Sequence, residues 1–169
     1  MDKVEKARIF ATAAHAAVDQ RRKYTGAPYI VHPAEVASIV KRVGGTPDMI
    51  AAAWLHDVVE DTKVTNEIIT QEFGSIIAGL VGWLTDISKP EYGNREFRKR
   101  MDREYIFNAP AEAQTVKLAD LISNTKSIMQ YDPNFAVVYL EEKRLLLEVL
   151  TKGDATLMAE AKRYIGVEK

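Results

Sequence analysis

From Thr46 to Thr62 the chain reads TPDMIAAAWLHDVVEDT, and this stretch restricts the fold more than any other. Thr46 is a good N-cap and Pro47 suits a first helical position, so a helix is predicted to start here. Ile50, Ala51, Ala52, Ala53, Trp54 and Leu55 are apolar enough to be buried. Yet His56, Asp57, Glu60 and Asp61 follow within six residues of Leu55. Burying such groups is costly without partners. The fold must therefore place a buried helix so that its polar end meets compensating charge.

The remaining punctuation is also helical. DKVEKARIFATAAHAAVDQ places Val4, Ala7, Ala11, Ala14 and Val18 on one stripe, and a loop, RRKYTGAPYIV, follows. A helix is predicted to restart after His32, with Pro33 in its first turn, and to end at Gly44-Gly45. The helix opened by Thr46 is expected to run on through VVED. Thr65 can cap NEIITQEF, which Gly74 closes. SIIAGLVGWLTDI and REFRKRMDREYIFN read as further helices around the loop KPEYGN. Pro110 opens AEAQTVKLADLISNTKSIMQ, Asp132-Pro133 precedes NFAVVYLEEKRLLLEVL, and Gly153 precedes ATLMAEAKRYI. No bounded period-two alternation appears. The expectation is an all-α bundle forming one domain over residues 1–169.

Composition excludes several chemistries. There are no cysteines, hence no disulfides, thiolate catalysis or cysteine-type zinc site. A net charge of −1 gives no general reason to bind nucleic acid or a membrane. MDKVEKARIF lacks the apolar run of a signal peptide, and no stretch reaches the roughly 18 apolar residues of a membrane span. A cytoplasmic location is the expectation.

Carboxylates at a helix C-terminus oppose the helix dipole, which favours cations there. A bound cation removes the conflict. On a continuous helix His56 and Glu60 share a face, as do Asp57 and Asp61, one turn apart. The alternative is a fraying acidic end with His56 as a satisfied core histidine. Further ligands are available elsewhere. His32, in PYIVHP, sits where a loop turns into a helix, although a helix-flanking histidine can also cap backbone. Asp120 interrupts the apolar run VKLADLI, with Asn124 one turn on; pairing with Lys117 is its alternative. His15, among alanines, reads as a packing residue or as a donor to groups behind a site. Mixed imidazole and carboxylate ligands suit Mn²⁺, Fe²⁺ or Zn²⁺ better than Ca²⁺. Arg21, Arg22 and Lys23 lie nine to eleven residues before His32, where they can meet phosphate or form a solvated face; Tyr24 beside them can stack on a base.

Taken together and in order, RRK…G.PYI.HP, LHDVVEDT and KLAD..SN resemble the HD-domain hydrolases, specifically the hydrolase domain of RelA/SpoT homologues. The similarity runs from about Ala7 to about Leu150. The chain has no room for the synthetase and regulatory domains of the large members, so it resembles the stand-alone small alarmone hydrolases. That resemblance implies an all-α, HD-domain helical bundle with one Mn²⁺ ion (Fe²⁺ or Zn²⁺ as alternatives). It implies His32, His56, Asp57 and Asp120 as ligands, and Glu60 and Asp61 as the pair that orients and deprotonates water. Arg22, Lys23, Asn124 and Tyr139 match substrate-contacting positions. The implied reaction is hydrolysis of guanosine tetra- or pentaphosphate at the ribose 3′ position, giving GDP or GTP and pyrophosphate. One departure is WLTDISK, where Asp86 replaces a lysine common in the family. The rival readings are an HD phosphohydrolase acting on a nucleoside monophosphate or on a phosphate of NADPH, and a nucleotide sensor without turnover. Oligomeric state is not legible.

Overall fold

The computed structural model describes residues 1–167, and among them helices account for nearly all regular structure. An isolated bridge between Arg21 and Pro28 is the sole β pairing among the described residues. The chain groups into two compact units, residues 1–85 and 86–169. No helix among the described residues is long and apolar enough to cross a membrane.

The first unit is built around α3 (Pro47–Leu55), which packs against α1 (Lys3–Ala17), α2 (Val31–Arg42) and α6 (Ser75–Leu84). Ala51, Ala52, Ala53 and Leu55 are fully buried, and small alanines let the neighbouring helices come close. Thr46 caps this helix by accepting from the Met49 amide. The core stripe of α1 is Ala7, Ala11 and His15, rotated from the Val4–Val18 stripe expected, and Val18 is exposed. His15 replaces an aliphatic residue in that stripe because its ring has a polar partner, described below. Helix α2 begins at Val31, one residue before His32, so His32 lies in its first turn and is buried with Pro33.

The helix opened by Thr46 does not run through VVED. It stops at Leu55, and a separate turn, α4 (Val58–Asp61), follows. The reason is local. The His56 ring bonds the Ala53 carbonyl through Nδ1 at 2.7 Å, and that carbonyl would accept from the Asp57 amide in a continuous helix. Asp57 adopts φ −103° and ψ 0°, outside the helical well. Helix α5 (Asn66–Phe73), capped by Thr65, and α6 complete the unit, with Gly74 between them at φ 88°.

In the second unit a 3₁₀ turn at Pro90–Tyr92 precedes α7 (Arg95–Phe107). Helix α8 (Ala111–Tyr131) packs on α9 (Pro133–Val149) and α10 (Ala155–Ile165). Gln114 is fully buried in α8 and closes the corner behind α7. Its Nε2 lies 3.1, 3.2 and 3.3 Å from the carbonyls of Ile106, Phe107 and Ala109, and its Oε1 accepts from the Lys152 amide at 2.8 Å. These contacts hold the start of α8, and Asp120 lies two turns beyond.

Candidate metal centre and its surroundings

Three of the expected ligands meet within the first unit. His32 comes from the first turn of α2, and His56 and Asp57 from the break between α3 and α4. Their ligand atoms lie within 4.8 Å of one another. Asp57 Oδ2 is 3.1 Å from His56 Nε2 and 3.7 Å from His32 Nε2, and the two rings stand edge-on with centroids 5.2 Å apart. Both histidines are 2% exposed.

The chemistry of this set suits a cation. A carbonyl only accepts, so the His56–Ala53 bond puts the ring proton on Nδ1. In the neutral ring Nε2 then presents a lone pair toward the cluster, the tautomer a metal-binding histidine needs. Two electron-rich atoms, His56 Nε2 and Asp57 Oδ2, face each other at 3.1 Å. A cation beside them turns that repulsion into shared attraction. The group fits a divalent ion with mixed nitrogen and oxygen ligation.

Tyr29 was not singled out by the sequence. Its hydroxyl donates to Asp57 Oδ2 at 2.6 Å, and its ring stands over His15, with centroids 4.9 Å apart. The available signal was its position in PYI, three residues before His32 in a loop pinned by backbone bonds. The Tyr29 amide donates to the Gln20 carbonyl, and the Arg22 amide to Ala27. Arg22 places its guanidinium over the Tyr29 ring at 5.6 Å. Lys23 is exposed, with its ammonium 5.4 Å from the Tyr24 ring.

Glu60 and Asp61 end the short α4, so the acids do sit at a helix C-terminus. Glu60 is exposed. Asp61 reaches solvent, yet protein packed around its carboxylate, and then the nearby Asp57, push its pKa up from the ordinary value. The amide of Gln20 pulls the other way, donating to Asp61 Oδ2 at 3.1 Å.

In the second unit Asp120 is 9% exposed on α8. Asn124 Nδ2 donates to its Oδ1 at 3.0 Å, and Lys117 Nζ lies 3.4 Å from Oδ2. Tyr139, on α9, is 5% exposed, with its hydroxyl 3.3 Å from that of Thr125. Burial drives its pKa well above the usual phenol range. Lys143 lies over the Tyr139 ring at 4.9 Å.

Comparison with known proteins agrees with this architecture. The family model described as HD domain matches residues 7–134, and the chain belongs to that family. A mouse (Mus musculus) protein named guanosine-3′,5′-bis(diphosphate) 3′-pyrophosphohydrolase MESH1 is 38% identical over 127 residues, covering 72% of this chain and 68% of the relative. A Synechocystis protein named as a probable enzyme of the same activity is 37% identical over 131 residues. These are 76% of this chain but 17% of that protein, so the chain spans under a fifth of some long relatives. A solved structure, described as a metazoan orthologue of SpoT that hydrolyses ppGpp and plays a role in starvation responses, superposes with a TM-score of 0.85. It is 27% identical and covers 99% of this chain and 98% of its own.

Proposed function

We propose that the protein hydrolyses the 3′-pyrophosphate of guanosine tetra- and pentaphosphate, releasing GDP or GTP and pyrophosphate, with Mn²⁺ as its ion. The observation that carries this reading is the His32–His56–Asp57 cluster, present in a chain that aligns along 99% of its length with a ppGpp-hydrolysing relative. Asp120 is proposed as the fourth ligand; in support, the HD-domain match runs from residue 7 to 134 and so takes in all four residues. We also propose that residues 1–169 act as a single hydrolase domain.

The chain's own residues divide the work. His32, His56, Asp57 and Asp120 would hold the ion, which when bound supplies a Lewis acid that acidifies water and offsets phosphoryl charge. Tyr29 fixes Asp57 by its hydrogen bond. Glu60, exposed at the end of α4, takes the proton from the attacking water as general base. Asp61 orients that water. Arg22 and Lys23 would meet the phosphates, while Asn124 and Tyr139 line the nucleotide side. A cytoplasmic location, where such a nucleotide would be met, is part of the same proposal.

The test strips metal from the purified chain, restores Mn²⁺ and supplies ppGpp, pppGpp and NADPH separately. Release of pyrophosphate with GDP from ppGpp is expected. Orthophosphate from NADPH, with no pyrophosphate from ppGpp or pppGpp, would overturn the substrate assignment.

A further inference from the structure

One buried polar group in the first unit has no part in the reaction as proposed. His15 is 1% exposed and lies in the core stripe of α1 with Ala7 and Ala11. A polar ring in such a stripe needs a reason, since an aliphatic side chain would fill the space without a desolvation cost. Its Nδ1 lies 2.8 Å from Gln20 Oε1, while its Nε2 makes no hydrogen bond. The other end of the Gln20 amide lies 3.1 Å from Asp61 Oδ2.

Donor and acceptor logic fixes the direction of this chain. An ionised carboxylate only accepts, so the NH₂ of Gln20 must face Asp61. Oε1 must then face His15, and it can accept only if the imidazole carries its proton on Nδ1. Were that donor lost, the Asp61 bond alone would hold the amide in this sense, and turnover would set a carbonyl oxygen against the carboxylate. The Gln20 backbone is already pinned: its amide donates to the His15 carbonyl at 3.1 Å, and its carbonyl accepts from the Tyr29 amide at 3.0 Å. What remains to be set is the sense of the side-chain amide.

We infer that His15 is a positioning residue for Asp61, acting through Gln20: the buried Nδ1–H selects the amide orientation that holds the Asp61 carboxylate in place at the open end of α4. Asp61 needs such a tether. It ends a helix of four residues, and its charge is repelled by Asp57. Without Gln20 the carboxylate would swing into water. This inference deepens the proposed hydrolysis and rests on it for its kinetic readout, but the hydrogen-bond chain can be read separately.

The test uses the whole chain with His15→Leu, His15→Asn and Gln20→Leu. Leu fills the buried space without a donor, whereas the Asn amide nitrogen falls near the Nδ1 position. His15→Leu and Gln20→Leu are expected to lower kcat on ppGpp by about 10–100-fold with KM nearly unchanged, as for other groups that orient reacting residues from behind. Titration with Mn²⁺ alone should match the wild type in all three variants, and His15→Asn should restore most of the rate. The Gln20 side-chain amide, assigned in ¹H–¹⁵N spectra by its loss in Gln20→Leu, should shift toward free glutamine in His15→Leu and stay in place in His15→Asn. A His15→Leu protein with wild-type kcat and an unmoved Gln20 amide would overturn the inference. So would a folded His15→Asn as slow as His15→Leu, which would assign the role to ring packing. If the wild-type chain were inert toward ppGpp, the proposed function would fail, and the amide spectra would still decide the hydrogen-bond chain.

Discussion

The Tyr29 hydroxyl donates, at 2.6 Å, to the same Asp57 oxygen that faces both His56 and His32. That oxygen therefore has its direction set by a loop residue, while its backbone is set by the break between two helices. Tyr29→Phe removes the bond without changing the ring's packing against His15. Mn²⁺ affinity is expected to fall by about 10–100-fold with the fold intact, measured by metal titration alongside circular dichroism. Unchanged affinity would show that the break alone orients Asp57.

Roles within the acidic segment separate by substitution. His56→Ala and Asp120→Ala are expected to lose metal binding and hydrolysis together. Glu60→Ala is expected to keep the ion and lose turnover, since Glu60 is proposed to handle water. Metal content and pyrophosphate release measured on the same samples decide this, and full turnover in Glu60→Ala would remove it from the reaction.

Lys143 gives a pH signature. Protein packed around its ammonium, followed by Lys117 and Lys99, pushes its pKa down from 10.5 to about 7. Between those values the unfolded chain binds more protons here than the folded chain does, so this group makes stability rise with pH across that window. Below pH 7 the folded form must also charge the amine, and the contribution levels off. Lys143→Met is expected to flatten the rise, as read by denaturant unfolding of both proteins from pH 6.5 to 9.5. Parallel curves would mean the ammonium is solvated.

Much of the fold was legible because helix starts are local events. Thr46, Thr65 and Asp132 each accept from an amide three residues on, a signal carried within four positions. The end of α3 was not legible. HDVVED has no breaker, and the interruption comes from a ring bonding a carbonyl three residues back. The same locality explains the site. His32, His56 and Asp57 stood out as polar residues in apolar settings. Tyr29 and Gln20 did not, because a tyrosine in a loop, or a glutamine closing a helical segment, is ordinary until its partner across the fold is known.

Gly153 supports α8 from outside. A methyl group there would press on the Leu118 side chain, two residues from Asp120, with the Gln114 carbonyl also in contact. Gly153→Ala is expected to destabilise by about 1–3 kcal/mol through overpacking, visible as a lower midpoint in urea. A neutral result would mean that Leu118 has room to change rotamer.

Gln114 has a consequence for how this domain can vary. One amide group serves the carbonyls of Ile106, Phe107 and Ala109 and the amide of Lys152, so the corner between α7 and α8 is measured from inside the following helix. Loops on protein surfaces usually accept inserted residues at little cost. This one is length-locked. A single residue added at 108–110 would slide the carbonyls off a side chain that cannot follow, so changes in chain length are to be expected at KPEYGN rather than here.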